Sequence, residues 1–320
     1  MGNLAVFLLF QVWPKFSELL LTVLFQGTDI IKTEVRLQTA ATFTGLCVLG
    51  LLVILLFRPT PWHPGDSGAN VSNPLRSVMS CLRLLGTGTM LKLSLTFLYT
   101  GLEISFWAGV LPSSVSFTRA LGGDRKSLMG LTSVLVSLGS MAGGLMLISL
   151  KEVVNKRGRS LVILTGLATH LTSFALSLVH LPHLSPLGDT DQAPLVSPHM
   201  VTVLFMALLM GLGDAAFNTQ VVLISDPHNM LELASDYKFT IQVISLVSSQ
   251  YTTNSAEAFA LVKLVQSVGV SAGFAVSTRI GLHWQLLVLT ITATAGSMGF
   301  IMVDRDSRKR INEKEITDGD

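Results

Sequence analysis

Eight runs of mostly apolar residues, separated by polar segments, constrain this chain more than any other feature of its sequence. A helix that crosses the apolar interior of a bilayer needs about 20 such residues, with a range of roughly 17–25. We name the runs spans A (4–25), B (40–57), C (91–111), D (127–150), E (160–181), F (200–224), G (256–276) and H (284–303). Span A is the weakest, because Pro14, Lys15 and Glu18 interrupt it. The pattern predicts an all-α, polytopic membrane protein with about eight spans.

The composition favours the same class of protein. Charged residues make up 13% of the 320 residues and apolar residues 49%, whereas a soluble domain carries about 25% charged residues. The net charge is only +2, which excludes a strongly basic nucleic-acid binder. Of the two cysteines, Cys47 lies in an apolar run and Cys81 in a polar one, so the sequence predicts no disulfide framework.

The distribution of basic residues predicts the orientation. If both termini are cytosolic, 14 Lys and Arg residues lie in cytosolic segments and six lie on the other side, while Lys15 and Lys263 lie within spans. Because cytosolic loops carry the excess of basic residues, this bias predicts cytosolic termini and an even number of spans. The proline-rich segment 58–90 is then a cytosolic linker, and the charged segment 304–320 is a cytosolic, disordered tail.

Three charged residues lie near the middles of spans: Glu103 in span C, Asp214 in span F and Lys263 in span G. Each costs about 2.5–3.5 kcal/mol on insertion into a bilayer, so each must face the helix bundle or a wet cavity. Helical spacing places one further polar side chain on the face of each charge. Tyr99 shares a face with Glu103, Asn218 with Asp214, and Gln266 with Lys263.

Two interpretations of these charges remain open. In the first, the two acids and the base line a central cavity that binds a polar solute or carries a proton. In the second, Lys263 only neutralises Glu103 or Asp214 and holds the helices together.

The remaining sequence patterns predict helix packing and give no sign of an enzyme or metal site. Two G-x-x-x-G pairs, Gly139 with Gly143 and Gly269 with Gly273, predict close helix packing but no substrate. The sequence contains no Walker-type phosphate loop, no C-x-x-C and no H-E-x-x-H, so we predict no enzyme, cofactor or metal site. The seven histidines are scattered; the pair His180 and His183 ends span E and is expected at the membrane interface.

Several segments resemble the UNC-ninety-three-like branch of the major facilitator superfamily: YTGLE (99–103), GLGDAAFNTQ (211–220), VQS (265–267) and LHWQLL (282–287). The resemblance implies twelve spans in two six-helix lobes. Residues 91–303 would form the second lobe, and 1–57 would hold the last two spans of the first. About four N-terminal spans of the family pattern would then be missing here.

The resemblance also implies a function. The first hypothesis is a multi-pass, transporter-like protein whose cavity residues are Tyr99, Glu103, Asp214, Asn218, Lys263 and Gln266. The carboxylates would carry protons or cations, with Lys263 as their charge partner and the two amides as hydrogen-bonding groups for the solute. The alternative is a non-transporting regulator or trafficking chaperone of other membrane proteins. Both hypotheses place the chain in a lipid bilayer, with no nucleic-acid partner.

Overall fold

The computed structural model describes residues 83–149, 159–218 and 255–317, with isolated positions between 37 and 81. Within these ranges, six helices are long and apolar enough to cross a membrane: Gly88–Phe117, Arg125–Leu147, Arg159–His180, Met200–Asn218, Glu257–Ser277 and Leu282–Lys309. They match predicted spans C to H in order, which confirms an all-α, polytopic fold for this part of the chain. Span A, most of span B and most of the linker lie outside the described residues.

The first crossing consists of three helical segments: α1 (Gly88–Ser105), a π-helical segment (Phe106–Val110) and α2 (Leu111–Phe117). Its start precedes the predicted residue 91, because the Thr87 hydroxyl caps the helix by accepting a hydrogen bond from the Met90 N–H at 3.4 Å. Its end lies beyond the predicted residue 111. Pro112 stands at the start of α2, and the wider π turn before it removes the clash that proline causes inside a regular α-helix.

The remaining helices are α3 (Arg125–Ser149), α4 (Arg159–His180), α5 (Met200–Asn218), α6 (Ser255–Ser277) and α7 (Leu282–Thr317). Helix α3 packs against α5, which in turn packs against α4, while α1 packs against both α6 and α7. The core between them is formed by apolar side chains that are almost fully buried, such as Phe97, Phe106 and Met210. The bundle thus places α1, α4 and α5 around one interior.

Glycines allow two close helix contacts. A Cβ atom on Gly143 would lie 2.6 Å from the Cβ of Ala215 and 3.2 Å from the Leu212 carbonyl oxygen, so α3 packs closely on the backbone of α5. A Cβ on Gly269 would lie 2.6 Å from the Leu98 carbonyl oxygen, so α6 and α1 do the same. Small residues permit this approach in membranes, where helices gain no hydrophobic energy by leaving lipid.

The loops that follow α2, α4 and α6 meet at one end of the bundle. Arg119 Nη1 lies 2.7 Å from Asp191 Oδ2, and Arg125 Nη1 lies 3.0 Å from Asp189 Oδ1. The N–H of Leu282 donates to the His183 carbonyl oxygen at 2.8 Å. Successive spans therefore run antiparallel, as an up-and-down membrane bundle requires. Which side of the membrane these loops face stays a prediction, namely the side opposite the cytosol.

Helix α7 differs from the prediction at its C-terminal end. We expected disorder from residue 304, but the helix continues to Thr317. Asp304 Oδ2 accepts a hydrogen bond from Ser160 Oγ at 2.8 Å and pairs with Arg308 Nε at 3.4 Å. Because no glycine or proline occurs from 300 to 318, charge pairing of this kind continues the helix beyond its apolar part.

Candidate functional site

A group of polar side chains lies in the interior between α1, α4 and α5. We call it the central cluster and define it as Tyr99, Glu103, His170, Asp214 and Asn218. Tyr99, Glu103 and His170 have 0% of their surface exposed, whereas Asp214 and Asn218 are half-buried. Polar groups enclosed to this degree in a membrane bundle are costly unless they bind one another or a ligand.

The two acids of the central cluster are joined by one amide. Asn218 Nδ2 lies 3.1 Å from Asp214 Oδ1 and 3.4 Å from Glu103 Oε2. On α3, the Ser140 hydroxyl donates to Asp214 Oδ2 at 3.0 Å. Both oxygens of Asp214 therefore accept a hydrogen bond, and the structure brings Glu103, Asp214 and Asn218 together as neighbours.

Glu103 is much less well satisfied than Asp214. Its Oε1 atom is fully buried and has no hydrogen-bond partner among the described residues. The His170 ring nitrogen Nε2 lies 3.7 Å away, which is too far for a hydrogen bond. An unsatisfied buried polar group costs about 1–3 kcal/mol when neutral and more when charged. The free-energy cost of burying Glu103 therefore depends on whether its carboxyl group is charged or neutral.

His170 occupies the middle of the central cluster, and our sequence analysis missed it. Its Nδ1 atom contacts the Tyr99 hydroxyl, and its Nε2 atom lies 3.1 Å from the Met210 carbonyl oxygen. A neutral imidazole with hydrogen on Nε2 satisfies both contacts, because the tyrosine then donates to Nδ1 and Nε2 donates to the carbonyl. The ring stacks on Phe217 at 5.5 Å and 6°. The usable signal was its position in the middle of span E, where any ionisable residue suggests a functional site.

Lys263 and Gln266 lie apart from the acids. The exposed Lys263 Nζ donates to Gln266 Oε1 at 3.0 Å. Gln266 Nε2 in turn donates to Thr100 Oγ1 at 3.3 Å, on the turn of α1 that precedes Glu103. In the described part of the chain Lys263 makes no ion pair with Glu103 or Asp214, so its expected role as their direct charge partner is not seen in this conformation.

The outer face of α6 is strongly apolar around Lys263. Leu264 and Val268 expose 54% and 56% of their surface. Helix α6 contacts α1 and leaves this face uncovered by other described helices. Gln266 therefore connects an uncovered membrane face to the helix that carries Glu103.

No set of three potential metal ligands occurs within the ranges the structure describes. His180 Nδ1 bonds to the carbonyl oxygen of Leu176 in its own helix at 3.1 Å. His183 instead faces His283, with ring centroids 4.7 Å apart.

Apolar helices of membrane-spanning length, arranged around buried acids, an amide and a histidine, define a multi-pass integral membrane protein with a polar interior. The chain belongs to the UNC-93 family, because the family model described as "Ion channel regulatory protein UNC-93" matches residues 1–227 and 229–301. The resemblance drawn from the sequence motifs is thereby confirmed.

Curated relatives agree with this assignment. The chain is 33% identical over 316 residues to "UNC93-like protein MFSD11" of Xenopus laevis, and 29% identical to the protein of the same name from Xenopus tropicalis. Each alignment covers 92% of this chain and 66% of the relative, so the chain spans just under two thirds of their length. No solved structure matches the chain.

Proposed function

We propose that this chain is a transporter-like membrane protein of the major facilitator superfamily, and that the central cluster lies on the path of a polar solute. The observation that carries the proposal is the pair of acids, Glu103 and Asp214, joined by Asn218 within membrane-spanning helices. Intramembrane acids are costly, and they commonly mark substrate or ion pathways. These residues are proposed to bind a solute or an ion, without covalent chemistry.

The roles within the site follow from the contacts. Glu103 and Asp214 carry a proton or cation, and Asn218 orients both carboxyl groups. Gln266 presents its amide at the edge of the site, where Lys263 adds a positive charge. Residues 91–303 are the second lobe of the fold, and the uncovered face of α6 is the side that faces the first lobe. Transporters of this type bind solute near the bilayer midplane, between their two structural repeats.

The test is solute efflux from proteoliposomes that contain the purified chain and a defined mixture of amino acids, sugars, nucleosides and carboxylic acids. We expect at least one solute class to leave faster than from protein-free vesicles. We expect Glu103→Gln and Asp214→Asn each to slow that efflux at least tenfold, a barrier increase of about 1.4 kcal/mol. The matched control is Glu257→Gln, which changes a glutamate in the first turn of α6. Full activity in both acid variants would remove the proposed roles.

A second candidate function is regulation of another membrane protein without transport. The description of the family as ion channel regulatory proteins favours it, as does the uncovered apolar face of α6. If the chain is such a regulator, a photo-crosslinking residue at Val268 captures a channel subunit in a one-to-one ratio with the chain. Glu103→Gln then leaves this capture unchanged. Efflux that depends on Glu103, without such capture, favours the transporter.

A further inference from the structure

We infer that the ion bound by the Glu103–Asp214 pair is a proton, held on Glu103 in this conformation, and that His170 is the positioning residue that responds when the proton leaves. This inference rests on the proposed function, since it concerns the same site. It adds the identity of the ion, its location and the helix contact that changes with it.

The groups around the two acids are hydrogen-bond donors. Ser140 presents its hydroxyl and Asn218 its NH2 group to the carboxyl oxygens. The Nε2–H of His170 is a further donor, 3.7 Å from Glu103 Oε1. Hard metal cations need several oxygen ligands turned toward one point, but here the neighbouring groups turn hydrogen toward the carboxyl oxygens. A proton on one of those oxygens fits this arrangement, whereas a metal cation does not.

The two acids differ in a way that assigns the proton. Asp214 is half-buried, and each of its oxygens accepts a hydrogen bond at 3.0 or 3.1 Å, which suits a carboxylate. Glu103 is fully buried, with one long contact at 3.4 Å and an Oε1 atom that has no partner. Two carboxyl groups that share one amide resist a second negative charge. Because Oε1 is fully enclosed, a covalently bound hydrogen fits there, whereas a hydrated cation does not.

Within the helices that the structure describes, the other titratable groups near Glu103 are engaged elsewhere. Tyr99 on α1 is engaged with the His170 ring, and Lys263 on α6 is held by Gln266. Helix α3 brings the Ser140 hydroxyl to Asp214, and α7 meets α1 at Thr96 through Gly296. The charge balance at Glu103 therefore depends on Asp214 and on the neutral His170.

Loss of the proton changes a helix contact. The O–H bond of Glu103 breaks, the proton leaves for water, and the electron pair stays on the carboxylate. The Nε2–H of His170 lies 3.7 Å from Oε1, and while Glu103 is protonated it donates to the Met210 carbonyl at 3.1 Å. Moving it to the carboxylate replaces a contact between α4 and α5 with one between α4 and α1. No bond in the imidazole breaks, and its tautomer is unchanged.

The first test is infrared spectroscopy of the full chain in lipid nanodiscs, with and without carbon-13 labelling of glutamate. We expect a carboxylic-acid C=O stretch at neutral pH that shifts with the label, is lost in Glu103→Gln and persists in Glu257→Gln. The label assigns the band in the wild-type chain to a glutamate, and its loss in folded Glu103→Gln assigns it to Glu103. Absence of a label-sensitive band, or a band that survives in folded Glu103→Gln, overturns the inference.

The second test addresses His170 by nitrogen-15 NMR of histidine-labelled chain. We expect hydrogen on Nε2 of His170 throughout, and a shift of that resonance over the same pH interval in which the Glu103 band disappears. His170→Gln, which keeps an N–H donor, should preserve that pH interval, whereas His170→Leu should displace it. An Nε2 resonance that does not shift when the Glu103 band disappears contradicts the role of His170.

The efflux and infrared experiments distinguish a failure of the transporter function from a failure of the proton site. A Glu103 band without solute efflux refutes the transporter and leaves the proton site standing. Efflux that requires Glu103 in a chain without the band refutes the proton site and leaves the transporter standing.

Discussion

Replacing His170 with alanine is expected to lower the free energy of unfolding by about 4 kcal/mol or more. The ring is fully buried and stacks on Phe217, and truncating a buried aromatic ring costs about 3–5 kcal/mol. The change also leaves the buried Tyr99 hydroxyl without its imidazole partner, at about 1–3 kcal/mol. The measurement is the unfolding midpoint of purified chain titrated with sodium dodecyl sulfate in mixed micelles.

Two further variants separate packing from hydrogen bonding at this position. His170→Phe keeps most of the ring volume and removes only the polar contacts, so we expect a loss of about 1–3 kcal/mol. Thr172→Ala lies on the exposed side of the same helix, where its hydroxyl bonds only to the Ala168 carbonyl, and should change little. If His170→Ala unfolds at the same midpoint as Thr172→Ala, the histidine does not hold the three helices together.

Replacing Gly211 with leucine is expected to separate α3 from α5. A Cβ atom at this position would overlap the Val136 carbonyl and lie 2.7 Å from the Ser140 amide nitrogen. Both are backbone atoms, which cannot rotate away as a side chain would. Overpacking of a tight core costs about 1–3 kcal/mol, and we expect the upper end of that range or more. The hydrogen bond from Ser140 to Asp214 should be lost with the helix contact.

The comparison for Gly211→Leu is Gly88→Leu, since a Cβ on Gly88 has nothing within 4 Å. We expect Gly88→Leu to elute from size exclusion as a single species and to melt near the wild-type temperature. Gly211→Leu should give aggregated protein or a much lower melting temperature. Equal behaviour of the two variants would mean that α3 and α5 do not touch at this glycine.

The spans were predictable because the apolar runs are long. A run of about 20 apolar residues has few stable alternatives to a membrane helix, so all six described crossings coincide with predicted spans. Their ends were less predictable, because they depend on local chemistry: the cap at Thr87, the π turn before Pro112 and the pair of Asp304 with Arg308. A hydropathy pattern contains no information on these three local features.

The candidate site was only partly predictable, and for a different reason. Helical spacing indicates which side chains share a face, and a charge in an apolar helix must turn inward; this led to Glu103, Asp214 and Asn218. Spacing does not give the neighbours of that face. Lys263 therefore contacts an amide where we expected a carboxylate, and His170 meets residues 71 and 40 positions away in the chain. Such contacts arise only from the packing of helices that are distant in sequence.

The most direct test of the central claim, a membrane bundle that encloses the central cluster, is labelling of single cysteines by a membrane-impermeant maleimide. In a chain carrying Cys47→Ser and Cys81→Ser, cysteines replace Gly123, Gly188 and Ser173, one per variant. Gly123 and Gly188 lie in loops at the same end of the bundle, whereas Ser173 on α4 is fully buried and donates to the Met206 carbonyl. In sealed vesicles we expect the first two to be labelled from one side only, the side opposite the cytosol, and the third only after denaturation. Labelling of position 173 in intact vesicles, or of 123 and 188 from opposite sides, would contradict the structure of the bundle.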